Sequence, residues 1–300
     1  DKKVLVIGAG LSGQAAAVFL AAKGADVTLT DNKTVADLDG LVDIAGVNLK
    51  LGGMPVGTEA ASYQLAVISP GVPLDIPTVQ ALMQAGVPLL GELELAYQFS
   101  HNPFFAITGT NGKTTTTTLL GYILQQAGRH CLIGGNIGTP LVNSVESLPA
   151  DACIVAELSS FQLETAQEFK AHIGAFLNLT PDHLYRHGTM SNYGAIKAKI
   201  FANQSQQDFA VLNYDDEQVR AYADNLSGTV EFFSRKADLP QGMLALNGRL
   251  LWRWLGQEID LMSVDEVLIK GPHNLENALA AAAMTLLAGV EPNQVCQALQ

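Results

Sequence analysis

Twice in this chain an apolar, β-branched run enters a glycine-rich turn and leaves as a helix, and nothing else constrains the fold as strongly. The first instance is KVLVIGAGLSG at residues 3–13; the second is FFAITGTNGKTT at residues 104–115. A strand that leads through a tight turn straight into a helix is the start of a crossover connection, so the expected architecture is parallel sheet with helices packed on it.

Further elements follow the same alternation. In the first part, strands are expected at 3–7, 26–30 and 65–69, with an alanine-rich helix at 11–23 and a turn at Pro70-Gly71. The alternation stops at the short polar stretch Ser100-His101-Asn102-Pro103, which marks a domain boundary and predicts one domain over 1–100 and a second over 101–300. In the second part, strands are expected at 104–107, near 131–133, and at 152–157, 172–178 and 208–213. Helices are expected at 113–127, 193–201, 274–288 and 293–299. Between 243 and 262, short strand-like runs separated by Asn247-Gly248 and Gly256-Gln257 predict an antiparallel meander, because Asn-Gly favours a two-residue hairpin turn.

Composition bounds the partners. Hydrophobic residues make up 48% and charged residues 15%, which suits packed α/β domains. A net charge of −12 argues against nucleic acid or an anionic membrane as partner, but not against nucleotides, whose phosphates a few local amides and lysines can hold. Cys131, Cys153 and Cys296 are far apart and form no CxxC pair. Cys131 and Cys153 read as small buried residues of a reducing compartment. With no charged-then-apolar leader and no uninterrupted apolar span, the expectation is a cytoplasmic protein, and a monomer.

The first turn, Gly8-Ala9-Gly10-Leu11-Ser12-Gly13, lets bare backbone approach a diphosphate at a helix N-terminus, and Asp31 at the end of the next strand stands where a ribose would be bound. Glycines that merely allow close strand–helix packing would look the same. NAD, FAD and UDP-sugars all fit the motif.

The second turn, Thr108-Gly109-Thr110-Asn111-Gly112-Lys113-Thr114, is more specific. Gly109 and Gly112 allow N–H groups to converge on phosphate oxygens, Lys113 would reach the β- and γ-phosphates, and the Thr114 hydroxyl would ligate Mg²⁺. The general pattern places a glycine where this chain has Ile107, so the match is partial. A simple glycine turn before a helix does not explain Gly-Lys-Thr at the helix start. The turn is read as an ATP-binding loop.

Other residues gain meaning from position. Glu157 ends an apolar strand, where an acid in a phosphate-loop protein holds Mg²⁺. Asp182-His183 follows another strand at the carboxyl end of the sheet. On composition alone Lys197 and Lys199 are solvated helix lysines, and Asn274 is a helix cap with Asn277 one turn on.

With TGTNGKTT at 108–115, GGNIG at 134–138, AELSSFQLE at 156–164 and GPHNLENALAA at 271–281, the chain resembles the Mur ligases, ATP-dependent amide-forming enzymes of peptidoglycan synthesis. The stretch after Glu157 resembles the branch that adds D-glutamate to UDP-N-acetylmuramoyl-L-alanine. The resemblance implies a Rossmann-like UDP-binding domain, then a phosphate-loop mononucleotide-binding α/β domain with a small antiparallel sheet. It implies ATP and Mg²⁺ as cofactors, with Lys113, His183 and Lys197 as catalytic residues. ATP would be held by Gly109, Thr110, Asn111, Gly112, Lys113, Thr114 and Thr115, with Asn274 and Asn277 facing the adenine. Metal would be held by Thr114 and Glu157 and, at a second position, by His183 and a carbamylated Lys197. The UDP-linked substrate would be met by Leu11, Ser12, Asp31, Asn32, Lys33, Ser69, Gly71, Asn136 and Ser159.

One residue departs from the family's pattern. Where Leu-Asp often follows the histidine, Leu184-Tyr185 stands here. The family also carries a third, amino-acid-binding domain that would begin near Gln300, so this chain by itself is expected to bind its substrates without turning them over. Three other readings compete: a nicotinamide or nucleotide-sugar oxidoreductase built on the first turn, a folylpolyglutamate synthetase-like ligase, and a scaffold that has lost its chemistry. The first leaves TGTNGKTT and ELSSFQLE unexplained, the second has no use for a UDP-type first domain, and the third would not retain Lys113, Glu157, His183 and Lys197 together.

Overall fold

The computed structural model describes residues 2–34 and 44–300. The chain divides into two compact units. Unit 1 holds the described residues up to Ser100 together with Thr139–Glu146 and Glu164–Phe169; unit 2 holds His101–Gly138, Ser147–Leu163 and Lys170–Gln300.

Unit 1 is built on five parallel strands: β1 (Lys3–Ile7), β2 (Asp26–Asp31), β3 (Val47–Leu51), β4 (Leu65–Ile68) and β5 (Leu89–Gly91). Their order is β3-β2-β1-β4-β5, the Rossmann-like arrangement in which the chain reverses direction across the sheet beside β1. Leu5, Ile7, Ala66 and Ile68 meet Val79 and Leu82 in one core. The helix Leu11–Ala22 buries Gly13 and Ala15–Ala17, small residues that let it lie close to the strands. β3 and β5 escape sequence reading for different reasons. β3 is a partly exposed edge strand with Asn48 and Lys50 in it, and β5 has only three residues.

Two excursions of the later chain are tied into unit 1 by carboxylates of one helix, Glu92–Gln98. Glu92 accepts from the backbone N–H of Val142 at 3.0 Å. Glu94 accepts from three successive backbone N–H groups, of Gln167 at 2.8 Å, Glu168 at 3.0 Å and Phe169 at 3.1 Å. Both acids are buried. Burial pushes the Glu92 carboxyl above its ordinary pKa, opposed by its backbone hydrogen bonds.

Unit 2 carries nine strands: β6 (Phe104–Thr108), β7 (Cys131–Gly135), β8 (Cys153–Glu157), β9 (Ile173–Phe176), β10 (Phe209–Asn213), β11 (Thr229–Ser234), β12 (Gly242–Leu246), β13 (Arg249–Trp254) and β14 (Gln257–Ser263). They form a single sheet in the order β14-β13-β12-β11-β10-β9-β6-β8-β7. Pairing is parallel from β7 across to β12 and antiparallel from β12 to β14. The expected meander is therefore present, continuous with the parallel strands. Asn247 and Gly248 both take positive φ, 51° and 78°, as a two-residue hairpin turn requires. The second turn falls one residue earlier than expected. Leu255 and Gly256, with φ of 50° and 77°, make it, and Gln257 already belongs to β14.

Helix Lys113–Gln126 and helix Pro272–Leu287 share the core of unit 2 with the strands, the latter burying every residue from Asn277 to Leu286. Proline at its first position places the start of this second helix at Pro272, with Gly271 as the cap residue at φ 103°. Asn274 consequently does not cap it. It lies inside the first turn and donates its side-chain amide to the Lys270 carbonyl at 2.9 Å. The helix expected over 193–201 runs from Met190 to Ala198, capped by Thr189, and tightens into a 3₁₀ turn at Lys199–Phe201. Cys131, Cys153 and Cys296 are free thiols; Cys153 is buried, whereas Cys131 is half-buried. Among the described residues no helix is long and apolar enough to cross a membrane.

Candidate functional site

In unit 2 the central strand β6 has β8 on one side and β9 on the other, so the loops leaving the carboxyl ends of these three strands converge. The glycine loop after β6 is shaped from outside by Asn178, just beyond β9. Asn178 Oδ1 accepts from the Asn111 N–H at 2.8 Å, its Nδ2 donates to the Asn111 carbonyl at 3.0 Å, and its own carbonyl accepts from the Thr110 N–H at 3.0 Å. The N–H groups of Thr110 and Asn111 are thus engaged with Asn178, whereas the amides of the first helical turn from Lys113 have no intrahelical partner and can meet a ligand. Thr110 and Asn111 therefore offer no free backbone N–H to a phosphate in this conformation. Gly112, at φ 82°, admits no side chain, because a Cβ there would lie 2.2 Å from Asn277 Oδ1.

Two lysines converge on the loop. Lys113 Nζ donates to the carbonyls of Gly109 at 3.0 Å and Thr110 at 2.9 Å, and Lys197 Nζ donates to the same Gly109 carbonyl at 2.8 Å. Lys197 is 1% exposed, the reverse of the solvated lysine that composition suggests, because its helix turns this face onto the loop. Burial lowers its pKa to about 7, assisted by the positive charge of Lys113 and opposed by Asp182. Burial lowers the Lys113 pKa too, opposed by Glu157 and Asp182.

Glu157, at the end of β8, is 2% exposed and is met from two sides. Thr114 Oγ1 donates to its Oε2 at 2.7 Å, and Asn136 Nδ2 donates to its Oε1 at 2.8 Å. The site therefore gathers Lys113, Thr114, Asn136, Glu157 and Lys197 around one loop. His183 keeps other company. It sits at φ 51°, pairs with Asp182 at 3.5 Å, and its ring lies 4.9 Å from that of Phe161 and 5.9 Å from that of Tyr185. Tyr185 itself is 85% exposed. Among the described residues no group of three His, Cys, Asp or Glu side chains stands ready for a metal ion. The hydroxyl of Thr114 and the carboxylate of Glu157 are nonetheless adjacent hard oxygen donors, the kind Mg²⁺ takes when it retains water and substrate ligands.

Beside the loop lies a cleft of about 720 Å³. Asn111, Gly112, Thr115, Asn274 and Asn277, all named as candidate ATP contacts, line it together with Asn178, Asn213, Asp215 and Arg235, which the sequence did not single out. Asn277 is fixed there by Thr116, whose hydroxyl donates to its Oδ1 at 3.3 Å. Arg235 is anchored through its backbone N–H to Asp215 Oδ2 at 3.0 Å and through Nε to Glu276 Oε1 at 2.5 Å. The missed residues had a signal: each lies at or just past the carboxyl end of β9, β10 or β11. Ser159, after β8, exchanges hydrogen bonds with Gln162 within its own turn.

The turn of unit 1 has its own geometry. Gly8 has φ 96°, and a Cβ on Gly13 would lie 1.8 Å from the Gly8 carbonyl oxygen. Ser69 Oγ donates to that same carbonyl at 3.0 Å, which joins the loop after β1 to the loop after β4. Asp31 accepts from the Ala9 N–H at 2.8 Å and the Lys33 N–H at 2.9 Å, so its carboxylate shapes the loop. Leu11 is 77% exposed at the helix start, Ser12 is half-buried, and Asn32, Lys33 and Gly71 are exposed around the same strand ends.

Comparison with known proteins places these features in a family. Residues 107–285 match the Mur ligase middle domain, and residues 2–91 match the N-terminal domain of Mur ligases of the MurD-like kind. The chain is similar to the UDP-N-acetylmuramoylalanine–D-glutamate ligase of Pelotomaculum thermopropionicum, with 50% identity over the whole chain and 66% of the relative. It is 43% identical to the enzyme of the same name from Alkaliphilus metalliredigens, over the whole chain and 67% of that protein. The chain thus spans about two thirds of the length of the curated relatives it matches. Among solved structures, a UDP-N-acetylmuramate:L-alanyl-γ-D-glutamyl-meso-diaminopimelate ligase from Neisseria meningitides shares the fold. It has a TM-score of 0.64 and 20% identity, over 99% of this chain and 97% of that one.

Proposed function

This chain belongs to the Mur ligase family, and we propose that it serves an ATP-dependent carboxylate–amine ligase that joins D-glutamate to UDP-N-acetylmuramoyl-L-alanine. The observation that carries the reading is the joining of Thr114 to Glu157 at the start of a helix whose Lys113 shares one carbonyl with a buried Lys197.

A carboxylate is a poor nucleophile towards a polyanion, so the site must place positive charge and exclude water. The first-turn amides of helix Lys113–Gln126 take phosphate oxygens. Lys113 exchanges the carbonyls of Gly109 and Thr110 for those oxygens, a short movement because its ammonium already lies over the loop. Thr114 and Glu157 would hold Mg²⁺, which would neutralise phosphate charge. A carboxylate oxygen of the alanyl end attacks the γ-phosphorus, the bond to ADP breaks, and an acyl phosphate results. The amine of D-glutamate then attacks the acyl carbon, loses a proton, and phosphate leaves as the amide forms. Asn136 and Ser159 meet the alanyl end, His183 would serve a second metal position, and Asn274 and Asn277 face the adenine. The first turn of unit 1, with Ser69 and Gly71, takes the uridine diphosphate.

Lys197 is read as a carbamate. With its pKa lowered to about 7, a large share of the amine is neutral at physiological pH. That amine adds to CO₂, forming an N–C bond and releasing one proton, and the product is an anionic oxygen donor where an ammonium stood. The reading includes a division into a UDP-substrate domain over 1–100 and an ATP domain from 101. It also includes action as a cytoplasmic monomer, since ATP and a UDP-linked precursor are substrates of that compartment.

Thermal unfolding tests the reading. UDP-N-acetylmuramoyl-L-alanine and a non-hydrolysable ATP analogue with Mg²⁺ are each expected to raise Tm in a concentration-dependent way, whereas NAD and folate leave it unchanged. Stabilisation by NAD instead would return the first turn to an oxidoreductase.

A further inference from the structure

Ser160 and His187 form a buried pair that the proposed chemistry does not use. Ser160 Oγ and His187 Nε2 are 2.9 Å apart, with the residues 2% and 5% exposed. The bond lies between two loops that the sheet does not register against each other. One leaves β8 just after Glu157 and carries Ser159; the other follows β9 and carries Asp182 and His183. β8 and β9 are both neighbours of β6, not of one another, so no ladder hydrogen bonds join them.

Each partner is rigidly tied to a residue of the proposed site. Ser160 directly follows Ser159 and opens the helix Ser160–Glu164. His187 closes the single turn Leu184–His187, its backbone N–H donating to the His183 carbonyl at 3.1 Å. Its ring stacks on Tyr193 at 5.3 Å and 20°, and Lys197 Nζ lies 4.7 Å from the centroid of that same Tyr193 ring. Phe161 completes the arrangement, its ring 4.9 Å from His183 and 5.5 Å from His187. One hydrogen bond thus ties together the loop of Ser159, the turn of His183 and the ring that supports Lys197.

We propose that Ser160 and His187 are positioning residues, whose hydrogen bond sets Ser159 to receive the carboxylate end of the acceptor. This rests on the reading of the site as one that phosphorylates an acceptor carboxylate. It assigns the pair to recognition of the carboxylate; the Thr114–Glu157 contact and the Lys113 contacts of the nucleotide loop include neither residue.

The experiment compares dissociation constants for UDP-N-acetylmuramate and UDP-N-acetylmuramoyl-L-alanine, and for a non-hydrolysable ATP analogue with Mg²⁺. It uses the wild type, Ser160→Ala, His187→Ala and His187→Gln. Gln can present its amide nitrogen where Nε2 stood, so it keeps the bond without the ring. The expected result is that both alanine variants lose about tenfold in the preference for the L-alanyl ligand, the scale of one buried hydrogen bond and the groups it aligns. His187→Gln is expected to recover most of that preference. The ATP analogue should bind all four proteins alike, which also reports that they are folded. If the wild type prefers the L-alanyl ligand and Ser160→Ala keeps that preference within twofold, the positioning role is overturned while the function stands. If the wild type shows no such preference, both fall together. If an alanine variant does not fold, His187→Gln decides: loss of the preference despite normal nucleotide binding overturns the hydrogen-bond account.

Discussion

Thr114 donates its hydroxyl to Glu157 at 2.7 Å across 43 residues of sequence, joining the first turn of a helix to the last residue of a strand. The strand lies beside β6, and the helix leaves β6 through the glycine loop, so parallel pairing alone brings the two ends together. Replacing Thr114 by Val keeps the shape and removes the oxygen. The affinity for a non-hydrolysable ATP analogue is then expected to lose most of its dependence on Mg²⁺, as titration with and without the ion would show. Unchanged Mg²⁺ dependence would place the ion elsewhere.

Lys113 is expected to carry the charge contact with nucleotide. A charge-assisted hydrogen bond contributes about 2–3 kcal/mol, so Lys113→Ala should weaken the ATP analogue about 30- to 150-fold. Its effect on Tm without ligand should be small, because the Gly109 carbonyl keeps Lys197 as its donor once Lys113 is gone. Calorimetric titration and a melting curve measure the two effects separately.

The Lys197 carbamate makes a spectroscopic prediction. In ¹³C-bicarbonate the protein should show a carbamate carbon resonance that is absent from Lys197→Ala. A protein that shows no such signal at pH 8, where the amine is mostly neutral, would remove the carbamate from the mechanism.

Glu231 makes unit 2 sensitive to pH away from the site. It is fully buried in β11, accepts from Trp252 Nε1 at 3.0 Å, and burial raises its pKa to about 8 against the pull of hydrogen bonds from Trp252 and Gln241. Unfolded, it ionises near its ordinary 4.5; folded, it holds its proton to about pH 8. Between these values the folded state binds more protons, so its contribution to stability is full at low pH and is lost as pH rises through that window. Glu231→Gln should flatten this slope and leave unit 2 more stable near pH 8. Denaturant melts followed by tryptophan fluorescence would show it.

Glu94 should be the more costly acid to remove. Its carboxylate accepts three backbone N–H groups at once, so Glu94→Ala is expected to destabilise unit 1 by about 3 kcal/mol, seen as a lower urea midpoint. Glu94→Gln, which keeps one acceptor oxygen, should fall between.

The sequence by itself determined the two strand–turn–helix units, the hairpin at Asn247-Gly248 and the start of the site at Gly109–Thr114, because each depends on neighbouring residues. Glycine at Gly8 and Gly112 is required by local backbone conformation, and Lys113 and Thr114 follow directly at the helix start. Local spacing also marked Glu157 as a strand-end acid. Only the tertiary structure decided what those residues meet. Asn178 takes up loop amides that looked available for phosphate, Lys197 is buried against Gly109, and Glu94 holds a segment more than seventy positions away. Ser160 finds His187 across a strand that separates their loops. A hydrogen bond between distant segments depends on which strands become neighbours, and strand order is set by the packing of the whole sheet. No local pattern encodes it.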